Sequence, residues 1–184
     1  MNLFVLVMFL HLLGALALFM SFAVEWVIQS RVRASASLEQ ARPFLEAGGK
    51  SVPILGAIGG ILVLIPGLYL TNVADLWNMA WIQAAIGTAV VIALLGLIIT
   101  GPRMRSLANS AAGHTKPSAE PTRFMRDPLL VISLRVRVTL ALGVLFLMAA
   151  EPTFAVTMLT IGVAFFVGVL ISVPAWTHRG PDPL

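Results

Sequence analysis

The stretch MNLFVLVMFLHLLGALALFMSFAVEWVIQSRVR is apolar over most of its length, yet it carries a histidine, His11, a hydroxyl, Ser21, and a carboxylate, Glu25. His11, Gly14, Leu18, Ser21 and Glu25 recur at steps of three and four, which places them on one seam of a helix facing its neighbours. A neutral imidazole on that seam can hydrogen-bond another helix or ligate haem iron. A carboxylate there can pair with an arginine or relay a proton. At about 1.5 Å of rise per residue the two groups stand about 21 Å apart, so they cannot touch. The pairing expected for Glu25 is with Arg135, Arg137 or a loop arginine. For His11 the first reading is a hydrogen bond to a neighbouring helix, and the second is ligation of haem b.

The haem reading lacks an evident second axial ligand. His114 falls in a loop and His178 after the last apolar run, so a haem at His11 would need a methionine, a five-coordinate iron or a second subunit. Other reactive sets are sparse. There is no metal-ligand pair at i, i+4, no Ser-His-Asp set in plausible positions and no phosphate-cradling glycine loop, since Gly59-Gly60 lies inside an apolar run. Asp75 and Glu151 are isolated loop carboxylates and read as solvated. Met8, Met20, Met148 and Met158 are scattered and read as core rather than as a copper path. No catalytic residue and no metal site is assigned.

The elements that position these residues follow from composition. Of 184 residues, 59 % are hydrophobic and only 11 % are charged, far from the soluble average. The absence of cysteine excludes disulfides, thiolate metal sites and covalent haem attachment. A net charge of +4 confined to short loops has a simpler use than nucleic-acid binding, namely orientation in a bilayer. Crossing the hydrocarbon takes about 20 apolar residues with all backbone groups satisfied internally, so each long apolar run becomes a helix.

These rules predict an all-α, single-domain bundle of five transmembrane helices, over 3–28, 52–70, 79–100, 134–150 and 153–173. The first is read as a retained span rather than a cleaved signal, because its positive charges follow the apolar run instead of preceding it. Every lysine and arginine then falls on one side, which puts the N-terminus outside and the C-terminus in the cytoplasm. Trp77 and Trp81 are assigned to the outer interface, Trp26 and Trp176 to the inner one. Arg135 and Arg137 are expected to snorkel to the headgroups. Between the first two spans, Ser37 and Gln40 form a capping box, with Leu38, Ala41 and Leu45 at helical spacing, suggesting a short interfacial helix ended by Gly48-Gly49. Residues 101–133 read as a flexible cytoplasmic linker. Glu151-Pro152 marks a sharp turn into the last span.

Small residues supply the packing pattern: Gly56 and Gly60 in the second span, Gln83 and Gly87 in the third, Thr139 and Gly143 in the fourth, and Ala164, Gly168 and Ser172 in the fifth. Pro66, inside the second span, predicts a tolerated kink eased by Gly67, or alternatively the lining of a cleft.

The segments FLHLLGALALFMSF and RVTLALGVLFLMAAEPTF, with Pro66-Gly67-Leu68-Tyr69 and Trp81, resemble a bacterial integral-membrane family known only as a domain of unknown function. The chain also looks distantly like the helical bundles of copper-resistance protein D and of the protoporphyrinogen oxidase of the haem pathway, which place a histidine in the first helix. That resemblance implies a role for His11 alone, because the oxidase also uses a later lysine and no intramembrane lysine occurs here. The expectation is therefore a multi-pass inner-membrane protein without catalytic machinery, a structural or accessory component associating with lipid and with other membrane subunits or copies of itself. The alternatives are a haem-binding or redox protein using His11, and a solute or proton carrier built around Pro66 and Glu25, with Ser21 completing an intramembrane polar site.

Overall fold

In the computed structural model, which describes residues 2–111 and 127–174, the chain is all helical among the described residues. Helix α1 spans Leu3–Ala34 and α2 Leu38–Val73. Helix α3 (Ala80–Leu95) widens into a π turn at Gly96–Thr100 and continues as α4 (Gly101–Ala111). Helices α5 (Pro128–Ala150) and α6 (Phe154–Leu170) follow. Four of these bodies are long and apolar enough to cross a membrane, while α6 is apolar but shorter, at 17 residues. By that measure the chain is a helical membrane protein.

Local chemistry explains most of the boundaries. Asn2 caps α1 by accepting the Phe4 amide at 3.2 Å. Ser37 accepts the Gln40 amide at 3.3 Å while the Gln40 side chain accepts the Ala36 amide at 3.1 Å, so the expected capping box forms and starts α2. Asp127 caps α5 through the Leu129 amide at 2.9 Å, with Pro128 behind it where a missing donor costs little. The same carboxylate receives Arg103 Nε of α4 at 2.9 Å and so ties the two helices together. Glu151 ends α5 in the left-handed region at φ 44°, and Pro152 prevents continuation, which makes the expected sharp turn.

Four expectations give way. The short interfacial helix does not stop at Gly48-Gly49 but runs on through Pro53 and Pro66 as one 36-residue helix. Gly48 admits a neighbour instead, since a Cβ there would stand 2.9 Å from Ile28, while one on Gly49 would make an ordinary contact with the Ala108 side chain at 3.8 Å. Ala41 and Leu45, fully buried, join Ile28, Val32, Met104, Leu107 and Leu130 in a core at the arginine-bearing end. The expected linker is helical at both ends, over Gly101–Ala111 and from Pro128 onward, which lengthens the fourth span beyond 134–150; its middle lies outside the described residues, as do His114, Trp176 and His178. Trp81, assigned to the interface, is 7 % exposed and packs with Ile82 and Leu147. Met8, Met20, Met148 and Met158, read as core, point outward, as flexible apolar side chains do without penalty when the surroundings are lipid.

Small residues draw the helices into contact. A Cβ on Gly14 would meet the Leu62 backbone at 2.5 Å, and one on Gly59 the Leu18 amide nitrogen at 2.6 Å, so α1 and α2 touch backbone to backbone. Among the described residues Gly60, the expected contact, has nothing within 4 Å of a Cβ placed on it, and neither does Gly87. Between α5 and α6, Gly168 faces Val136 and Gly143 faces Ala164, as the spacing predicted.

Candidate functional site

The sequence offered His11, Ser21 and Glu25 as one intramembrane polar set. The structure gives each a different partner. His11 Nδ1 lies 2.9 Å from the Val63 carbonyl oxygen of α2. Pro66, three residues on, lacks the donor that would hold the Leu62 carbonyl, and its ring disturbs the preceding turn; Gly67 leaves room for the imidazole, whose Cε1 stands 3.0 Å from where a Cβ would be. A carbonyl only accepts, so Nδ1 is the donor, and in the neutral imidazole Nε2 is then the nitrogen that carries the lone pair. Ser21 donates to the Val52 carbonyl at 3.3 Å, beside Gly56. Both contacts fasten α1 to α2.

Glu25 belongs to a separate network where α1, the π turn and α5 meet. Its side chain is fully buried, and Arg137 Nη2 donates to Oε1 at 2.5 Å. Gln29, one turn further along α1, donates to the same oxygen at 2.9 Å and to the Leu130 carbonyl at 3.3 Å. Arg137 Nη2 also reaches Thr100 Oγ1 at 3.0 Å, and Nε donates to the Ser133 carbonyl at 3.3 Å. Thr100 and Ser133 hydroxyls stand 3.1 Å apart. The Phe22 ring lies 5.5 Å from the guanidinium carbon, within cation–π range. Glu25 Oε2 has no hydrogen-bond partner among the described residues.

Arg137 therefore does not snorkel; it is 6 % exposed and turned inward. Arg135 donates to the Ile171 carbonyl at the end of α6 instead. The π turn helps to build the site. The Gly101 amide bonds the Gly96 carbonyl five residues back, which widens the helix and carries Thr100 to the guanidinium, and a Cβ on Gly96 would stand 3.4 Å from Arg137 Nη1. Pro102, one residue beyond, could not have donated to an α-type bond in any case.

Sequence reasoning placed Arg137 among three choices for Glu25 and missed Gln29, Thr100 and Ser133. Two of these were signalled: Gln29 is one turn from Glu25, and Ser133 one turn from Arg137, so each charged residue has a polar neighbour on its own face. Thr100 depends on the π turn and carried no signal. Chemically the network is an ion pair that sets the two charges against each other inside the bundle, leaves one carboxylate oxygen without a hydrogen bond among the described residues, and joins helices distant in sequence. Among the described residues no group of three or more His, Cys, Asp or Glu side chains is placed to hold a metal ion. Compared with models of protein families, with curated proteins and with solved structures, the chain matches none.

Proposed function

We propose that the chain is an accessory component of a bacterial inner membrane, N-terminus outside and C-terminus cytoplasmic, whose outer faces meet lipid and a further membrane subunit or copies of itself. The observation that carries this reading is the Glu25–Arg137 pair. The two groups best able to move a proton or hold a substrate charge spend that capacity on each other, at 2.5 Å and both buried. What remains is a bundle with wide apolar outer faces, including Leu16, Leu97 and Leu159. Cross-linking in native membranes followed by purification in mild detergent tests it. The reading expects a defined assembly of fixed stoichiometry that persists in a variant carrying both Glu25→Gln and Arg137→Gln. Purification as a lone chain, with no cross-linked species, would count against it.

A second reading has its own observation. With Nδ1 donating to Val63, His11 has the tautomer of a metal-binding histidine, an Nε2 lone pair oriented by a backbone carbonyl behind it. This supports haem b ligation. An absorption spectrum of protein from iron-replete cells checks it: a stoichiometric Soret band lost in His11→Ala would favour this reading, and a flat spectrum from folded protein would remove it.

A further inference from the structure

A groove of about 460 Å³ opens between the end of α1, the start of α5 and the exit of α6, bordered by Trp26, Ser30, Arg33, Leu134, Arg135 and Pro174. We propose that this groove seats the headgroup of an anionic phospholipid.

Depth is the first argument. The apolar part of α1 before Glu25 covers 22 residues, from Leu3 to Val24, or about 33 Å of rise, close to the hydrocarbon thickness of a bilayer. Trp26, Ser30 and Arg33 come next, at headgroup level, and the Trp26 indole is 58 % exposed there. Charge is the second argument. Two arginines from different helices border the groove and no acidic side chain does, among the described residues. Among the described residues Arg135 makes one donation, to the Ile171 carbonyl, and a guanidinium has five N–H donors, enough to meet phosphate oxygens as well. Shape is the third. The volume lies within the range of about 300–1,000 Å³ of small-molecule sites, and Val131 and Leu134 give it an apolar floor suited to the first carbons of acyl chains rather than to a hydrated ion.

The test uses the full chain in mild detergent, exposed to equal amounts of phosphatidylglycerol and phosphatidylcholine, with retained lipid counted by native mass spectrometry. The proposal expects phosphatidylglycerol to be retained about fivefold or more over phosphatidylcholine, and that preference to fall about fivefold in Arg135→Gln and again in Arg33→Gln. Arg42→Gln, which removes a charge paired with Glu46 on the exposed face of α2, should leave it unchanged. Unfolding in the same detergent establishes that each variant is folded, and the two groove variants lie on different helices, so loss of one leaves the other to decide. Equal retention of the two lipids by the unaltered protein would overturn the proposal. So would a preference that survives both groove substitutions or falls equally in Arg42→Gln. Displacement of bound lipid by a large excess of inorganic phosphate would also overturn it, assigning the groove to a soluble anion.

Discussion

At the scale of single residues, the protein turns on where its few polar side chains send their hydrogen bonds. His11 is held by a carbonyl, which fixes its tautomer. Nitrogen-15 spectra of labelled protein should show a protonated Nδ1; a proton on Nε2 alone would contradict the 2.9 Å contact with Val63. That Glu25 needs compensation was legible in the sequence, because a lone carboxylate in an apolar helix is costly. Which arginine supplies it was not. Arg135 and Arg137 are two positions apart, about 200° around the helix, so only one can face α1, and the rotation of α5 that decides goes with its contact to α6, where Gly143 of α5 meets Ala164 and Gly168 of α6 meets Val136. Glu151, with φ 44°, sits where a side chain strains the backbone. Glu151→Gly should raise thermal stability by about 0.5–1 kcal/mol in a detergent melt, the relieved strain exceeding the added unfolded-state freedom.

At the scale of helices, close approach rather than spacing distinguishes one glycine from the next. Gly59 and Gly60 are neighbours, yet a Cβ meets Leu18 backbone at the first and open space at the second. Gly60→Ala should stabilise by about 0.5–1 kcal/mol through helix propensity. Gly59→Ala should destabilise, by about 1–3 kcal/mol, because α1 must move away. Equal effects in unfolding measurements would refute the α1–α2 interface described. The spacing of Gly56 and Gly60 suggested the wrong second glycine, since a four-residue pattern fixes a face only to within a residue or so. Helix existence was readable from hydropathy and the capping box from Ser37 and Gln40. Continuity was not: Gly48-Gly49 reads as a stop in isolation, and only the presence of Ile28 and Ala108 beside it makes it a crossing point. The same limit applies to 101–111, whose buried Met104 and Leu107 acquire a reason to be helical only once α2 is there to cover them.

At the scale of the whole molecule, the buried network links α1, the π turn and α5, while single polar contacts such as His11 to Val63 and Arg103 to Asp127 tie other helix pairs and apolar packing fills the space between them. Glu25 and Arg137 stabilise the bundle as a pair, so neither is free for other chemistry. A double-mutant cycle on reversible unfolding in detergent micelles tests this most directly. Arg137→Met and Glu25→Leu should each cost about 3–5 kcal/mol by stranding a buried charge, while the double variant recovers most of that loss, giving a coupling of at least about 2 kcal/mol. Additive losses, with no coupling between the two positions, would contradict the pairing and return Glu25 to the role of an independent intramembrane carboxylate.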